Sequence, residues 1–144
     1  MDLRFEKRNT FYVSGYSVET SEETLEKDCL MLREKYEDRL KSVSDNLYFL
    51  SWASKEGAMI YLLGVETTSQ TPATQDATCI EVPATCFAVA TVPKGAPILA
   101  TWHEFFEKGI PALNAAIDMD YSYYFESFDE NDGCELWIPV IEKA

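Results

Sequence analysis

The sequence has little positive charge, little histidine and no long apolar runs. Twelve Lys and Arg residues stand against 25 Asp and Glu residues, for a formal net charge of −13. Because such a surface repels a phosphate backbone, no direct nucleic-acid partner is expected. A single histidine, His103, and four cysteines without CxxC spacing argue against a metal site. We therefore expect neither a metal nor another cofactor.

Apolar runs stay well short of the roughly 20 residues that span a bilayer. The first ten residues are also too polar for a secretory signal. We therefore expect a cytoplasmic protein without a membrane partner, whose cysteines are free thiols. The 144 residues are 47% hydrophobic, which suits one domain with a buried core. Most of the acidic excess then belongs to a solvated surface.

The first half of the chain predicts a strand, a helix and two more strands. A capping box at Thr20–Glu23 precedes apolar residues at helical spacing, so the helix is predicted over 22–41. Gly15 indicates a bulge or a close approach of two backbones in the first strand. The β-prone runs on either side of the helix cover 11–20, 47–53 and 58–66.

The second half repeats that order after a small, polar linker at about 67–77. Pro83 interrupts its first strand, and Pro111 ends or kinks its helix. The predicted elements are a strand at 78–92, a helix at 98–109 and a closing hairpin at 121–128 and 134–141. The chain is thus predicted to be one domain, 1–144, with pseudo-repeat halves at about 10–66 and 78–142.

Two β-α-β-β units of this kind can share one antiparallel sheet. The predicted class is α+β, with both helices on one face of the sheet. The opposite face is predicted to curve into a cleft at the junction of the halves, where small-molecule sites tend to lie.

One residue is out of place in the closing hairpin. Glu126 lies between Phe125 and Phe128, where an unmet carboxylate is costly. Alternation puts Tyr124, Glu126 and Phe128 on one face, and the simplest pairing sets Trp137 beside Glu126 on the cleft side. A carboxylate framed by rings suits a lipophilic cation, since each ring adds about 0.5–2 kcal/mol of cation–π attraction. Pairing of Glu126 with a lysine or arginine of the fold is the alternative.

Other aromatic residues are further candidates for this cleft. Trp52 and Tyr61 stay open, because a register slip of one residue reverses the face of a strand. Trp102, on the apolar face of the second helix, is large enough to be a core residue, and so is Trp137.

Four passages resemble the GyrI-like family, or AraC-type effector-binding domains, which also form the drug-sensing half of some multidrug-responsive transcription regulators. These passages are FYVSGYSVET, the strand end Gly64–Glu66, EVPATCFAVATVPKG, and FESFD with CELWIPV. The resemblance covers nearly the whole chain. It implies β-α-β-β repeats around a cleft, a glutamate at position 126 that meets cations, and cleft walls at Glu135 and Trp137. Where relatives often carry tyrosine, this chain has Phe87, which offers no hydroxyl.

Three function classes follow, in order of preference. The first is a binding protein for amphipathic, cationic small molecules, acting by sequestration or as a sensory module. The ten residues before the first predicted strand are too few for a helix-turn-helix, so DNA binding would need another chain. The second is a hydrolase of strained cyclopropane compounds, implied by the resemblance, with Glu126 and Tyr124 as catalytic residues. The third is a protein-interaction module, in the way of a gyrase-inhibiting relative. A homodimer or another protein partner is left open.

Overall fold

The computed structural model describes residues 1–142 and confirms the α+β class, with one antiparallel sheet and the predicted helical segments on one face. Residues 143 and 144 of the predicted domain lie outside the described residues. The strands are β1 Leu3–Arg8, β2 Phe11–Thr20, β3 Leu47–Ala53, β4 Met59–Thr67, β5 Thr78–Val82, β6 Thr85–Thr91, β7 Ala115–Ile117, β8 Tyr124–Phe128 and β9 Cys134–Glu142. The helices are α1 Leu25–Lys41, α2 Ile98–Glu104 and α3 Ile110–Ala112, and a π-helical turn, Phe105–Gly109, joins the last two.

Most predicted elements are present, and β2 and β3 have the predicted bounds. Helix α1 begins later than predicted, at Leu25 rather than residue 22. Thr20 instead ends β2, and its hydroxyl donates to Asp28 Oδ2 at 2.7 Å. Thr24 becomes the N-cap without a side-chain capping bond. The apparent capping box therefore links the strand to the helix rather than starting the helix.

Two strands, β1 and β7, were not predicted. Strand β1 pairs with β6, with Arg8 opposite Thr85. Strand β7 pairs with β9, with Ala116 opposite Ile141. Each lies outside the pattern of two equal repeats.

The main path of the sheet has the order β1-β6-β9-β8-β3-β4-β2-β5. Residues 9–10 alone connect β1 to β2, and residues 83–84 alone connect β5 to β6, with the predicted interruption at Pro83. Since both connections join strands from opposite ends of this order, the sheet must curl until its ends approach. Arg8 of β1 accordingly forms an ion pair with Glu66 of β4 at 2.7 Å.

The sheet separates two apolar cores. The helix-side core packs α1 and α2 against the sheet, through residues such as Leu32, Leu40, Trp102 and Phe105. We call the second core, on the opposite face of the sheet, the far-side core. Within residues 1–142, none of its buried members comes from a helix. These nine members are Phe11, Val13, Leu50, Leu62, Val82, Phe87, Val89, Phe125 and Trp137. The curl of the sheet buries this second core.

Two glycines permit a close backbone approach on the far side. Gly15 of β2 lies opposite Gly64 of β4. A Cβ at Gly15 would lie 2.0 Å from the carbonyl oxygen of Leu63. The predicted close approach at Gly15 is confirmed. Within residues 1–142, no helix has the length and apolar content needed to cross a membrane.

Candidate functional site

Glu126 lies in the middle of β8, in the layer between the sheet and the helices. Its strand neighbours in register are Phe49 of β3 and Leu136 of β9, both in the helix-side core. The side chain is only 7% exposed. The indole Nε1 of Trp102, on α2, donates a hydrogen bond to Glu126 Oε2 at 2.8 Å. In the described part of the chain, no lysine or arginine forms an ion pair with this carboxylate.

The predicted pairing of Glu126 with Trp137 on one face is wrong. Phe128 lies opposite Cys134 across the loop 129–133, which sets Phe125 opposite Trp137 and Glu126 opposite Leu136. Asp129 holds this loop, because its Oδ1 accepts hydrogen bonds from the backbone N–H groups of residues 131 and 133. The register therefore sends Glu126 toward the helices and Trp137 into the far-side core.

The predicted site residues are divided between the two faces. Trp102, Tyr61, Phe128 and Tyr124 belong to the helix-side core with Glu126 or pack against it. The far-side group contains Trp137, Phe87, Trp52 and, at its rim, Glu135. Strand register settles the face of both residues that were left open: Tyr61 lies on the helix side and Trp52 on the far side.

Aromatic rings frame Glu126. The indole of Trp102 stacks on Phe106, with the ring centroids 5.8 Å apart. Phe106 in turn lies 5.9 Å from the ring of Tyr124. On the sheet, Phe49 lies 6.0 Å from Phe128 and 6.2 Å from Tyr61. The carboxylate thus has a floor of rings from the sheet and a cover of rings from α2 and the π-helical turn.

Arg33 of α1 is a member of this site that the sequence interpretation missed. Its guanidinium lies 4.6 Å from the ring centroid of Phe128 and 5.5 Å from that of Phe49. It forms an ion pair with Glu37, one helical turn further along α1. A signal was present, because Arg33 follows Cys29 by four residues and so shares the face of α1 that was predicted to be apolar.

Burial raises the pKa of Glu126 to about 7, while the hydrogen bond from Trp102 and the charge of Arg33 act in the opposite direction. The surroundings respond to the same carboxylate. Burial raises the pKa of Cys29 to about 12, and the nearby charge of Glu126 adds to that shift. Burial and Glu126 also raise the pKa of Tyr61. The site therefore holds a carboxyl group that titrates near neutrality among groups that stay protonated.

A separate depression of about 680 Å³ lies at one end of the far side. Arg4 forms ion pairs with Glu6 and Glu135 at its rim. The guanidinium groups of Arg4 and Arg8 lie 5.7 and 5.6 Å from the ring of Trp137. The arginines that line this depression are therefore already ion-paired, and Glu126 does not line it.

Comparison with known proteins identifies a family and a set of similar folds. Residues 4–140 match the family described as integron-associated effector binding protein. No curated protein matched this chain.

Solved structures share the fold at low sequence identity. The structure of SAV2435 bound to tetraphenylphosphonium has a TM-score of 0.74 at 13% identity, covering 98% of this chain and 94% of that one. The integron cassette protein Cass2 from the mobile metagenome of Vibrio cholerae has a TM-score of 0.69 at 17% identity, covering 96% and 95%. The C-terminal domain of EcmrR has a TM-score of 0.66 at 9% identity, covering 99% and 98%.

Proposed function

Because this chain belongs to the family of integron-associated effector binding proteins and has a GyrI-like fold, we propose that it binds an amphipathic, lipophilic cation at Glu126. The ligand would lie between α1 and α2, with its charge at the carboxylate and its apolar groups against the rings. The protein would act by sequestering such compounds or as the sensory module of a regulator.

The observation that carries the proposal is the state of Glu126. It is almost fully buried, it accepts a hydrogen bond from a neutral indole, and no ion pair compensates it within residues 1–142. A carboxylate in such a position raises the free energy of the folded protein unless it is protonated or meets a cation. A bound cation would therefore offset the free-energy cost of burying this carboxylate.

The aromatic frame sets the class of cation. A small, strongly hydrated ion would lose its water shell without contacting the rings of Phe49, Phe128 or Phe106. A cation that carries apolar groups buries those groups against the rings and gains cation–π attraction, about 0.5–2 kcal/mol for each favourable ring. SAV2435, which shares the fold, was solved with tetraphenylphosphonium, a compound of this class.

The test compares tetraphenylphosphonium with uncharged triphenylphosphine oxide by tryptophan fluorescence and calorimetry. Glu126→Gln keeps the shape of the protonated side chain and removes the negative charge. We expect it to weaken phosphonium binding by about 10- to 100-fold, or about 1.4–2.8 kcal/mol, and to leave the neutral analogue almost unaffected. Glu130→Gln, in the exposed hairpin loop, removes the same formal charge elsewhere and is the matched control. Equal losses for both ligands would refute charge recognition.

A second candidate function, hydrolysis of strained cyclopropane compounds, is favoured by one observation. A carboxyl group with a pKa of about 7 can both take and give a proton at neutral pH. The water oxygen would bond to one ring carbon as the strained C–C bond breaks, and Glu126 would accept the proton that the water loses. A tyrosine hydroxyl would protonate the released carbon and regain its proton from Glu126. Tyr124 was the predicted partner, and Tyr61 is the hydroxyl whose pKa responds to Glu126. Mass spectrometry of a cyclopropane-containing compound after long incubation decides this, since an unchanged compound contradicts turnover.

A further inference from the structure

Arg33 lies over two rings of the proposed cation site, beside the Glu126 carboxylate. Its side chain is 23% exposed, which is low for an arginine on a surface helix. Its guanidinium covers Phe128 and Phe49, the ring that faces Glu126 across the β3–β8 pair. The arginine thus occupies ring faces that belong to the floor of the proposed cation site.

The contacts of Arg33 keep it beside Glu126 rather than on it. Within residues 1–142 its ion pair is with Glu37, and it makes no hydrogen bond to the Glu126 carboxylate. Its charge nevertheless favours the ionised form of Glu126. The other groups that face this carboxylate are the neutral indole of Trp102 on α2, the thiols of Cys29 on α1 and Cys134 on β9, and the hydroxyl of Tyr61 on β4. Arg33 is therefore the cationic group among these neighbours.

We propose that Arg33 is a built-in competitor that sets the affinity and selectivity of the cation site, and that Glu37 is the anchor which keeps hold of its guanidinium when a ligand displaces it from the rings. This inference rests on the proposed function, and it names the residue that regulates the same site. A ligand gains the ring faces only after the guanidinium, still paired with Glu37, has swung away from the rings toward solvent. Long arginine side chains make such movements without any change in the helix backbone.

Competition of this kind predicts selectivity. The ligand and the guanidinium each carry one positive charge, so charge alone does not favour the ligand. The ligand must therefore bury more apolar surface against the rings than the guanidinium does. Bulky, apolar cations meet that condition, whereas tetramethylammonium does not. The arginine would thereby keep small cellular cations out of a site that contains a buried carboxylate.

The first test removes the competitor. Arg33→Met keeps a long apolar stem and loses the charge, whereas Arg33→Lys keeps the charge. We expect Arg33→Met to bind tetraphenylphosphonium about fivefold to twentyfold more tightly than the wild type, with triphenylphosphine oxide changed by less than about twofold. Arg33→Lys keeps the charge but loses the flat guanidinium over the rings, so its phosphonium affinity should lie between those of the wild type and Arg33→Met. Unchanged or weaker phosphonium binding by a folded Arg33→Met variant would overturn the proposal.

The second test removes the anchor. Glu37→Gln leaves Arg33 without its ion-pair partner, so the guanidinium should turn toward Glu126 and weaken phosphonium binding by about threefold or more. In the Arg33→Met background the same change should have almost no effect, since no guanidinium remains to be held. An equal effect of Glu37→Gln in both backgrounds contradicts the anchoring role.

A third readout needs no ligand. The fluorescence of Trp102, whose indole bonds to Glu126, should report the titration of that carboxyl, and Glu126→Gln should abolish the transition. Removing the charge of Arg33 should move the midpoint upward, because the ionised carboxylate loses a favourable neighbour. A midpoint that does not move contradicts the placement of Arg33 beside Glu126.

These measurements separate the two proposals. If the wild type binds phosphonium through Glu126 and Arg33→Met binds no better, the proposed function stands and the competitor is refuted. If neither the wild type nor Arg33→Met binds phosphonium, the cation site itself is refuted, and the competitor with it.

Discussion

The two faces of the sheet are both buried and both aromatic, yet they are closed by different means. Among residues 1–142, the buried members of the far side include no charged residue. Its rings meet mostly edge to face, as in Phe87 and Phe125 at 5.2 Å. The helix side contains Glu126, a cover of rings on α2, and Phe106, which is 37% exposed.

The means of closure decides which face can admit a ligand. The far side is closed by the sheet itself, so opening it would break backbone hydrogen bonds between strands. The helix side is closed by side chains of α1 and α2, which can change rotamer or shift while every β-ladder stays intact. A polar group on the helix side can therefore serve in binding, whereas the far side is suited to permanent packing.

The largest expected loss of stability comes from a substitution in the far-side core. Phe125 is fully buried and contacts the rings of Phe11, Phe87 and Trp137. Phe125→Ala should lower the free energy of unfolding by about 3–5 kcal/mol, because a large cavity forms in a core that cannot collapse easily. Urea denaturation measures the loss. A cost below about 1 kcal/mol would mean that the far side is not the rigid face.

A substitution on the helix side should have a smaller effect on the free energy of unfolding, and one of opposite sign. The folded-state pKa of Glu126 is raised to about 7 from 4.5, so the unfolded chain loses this proton first and stability falls as the pH rises between those values. Relative to the wild type, Glu126→Gln should gain about 2 kcal/mol more stability at about pH 8 than at about pH 5.5. Denaturation at both pH values measures this difference, and a pH-independent change would contradict the raised pKa.

The smallest expected effect on stability concerns the cover of the site. Phe106 stacks on Trp102, lies at a tilt against Tyr124 and is partly exposed. Phe106→Ala should cost only about 0.5–1 kcal/mol of folding stability, since little buried surface is lost. Calorimetry should nevertheless show phosphonium binding weakened several-fold. A loss of stability as large as that of Phe125→Ala would erase the contrast between the two faces.

The sequence singled out Glu126, but the face predicted for its side chain was wrong. A carboxylate between aromatic residues is a visible anomaly, whereas its orientation depends on hairpin register. The loop between the two strands has five residues, 129–133. If the residues that flank this loop pair with each other, Phe128 lies opposite Cys134. Counting from that pair gives Phe125 opposite Trp137. The register was therefore within reach of the sequence, and the simpler assumption that aligned Glu126 with Trp137 missed it.

Charged residues account for the other omissions. Arg33 was not among the predicted site residues, although the rings of Phe49 and Phe128 give its guanidinium a partly buried surface. Strand β1 was missed because only Leu3 and Phe5 are apolar in a segment that is otherwise charged. Arg4 and Arg8 of this strand lie at the rim of the far side, where they form ion pairs with Glu135 and Glu66, respectively. Partners from distant strands satisfy these charges, and composition alone does not reveal such partners.

Strand β1 has a consequence for the order in which the chain folds. Its partner is β6, so Arg8 can meet Thr85 only after the residues between them have been synthesised. Contacts between residues so far apart in sequence form slowly, because a long loop must close before they contribute. The N-terminal half alone would expose Phe11, Val13, Leu50 and Leu62, which are buried only when the second half arrives. The two halves should therefore fold as one cooperative unit despite their repeated order, and neither half should be stable by itself.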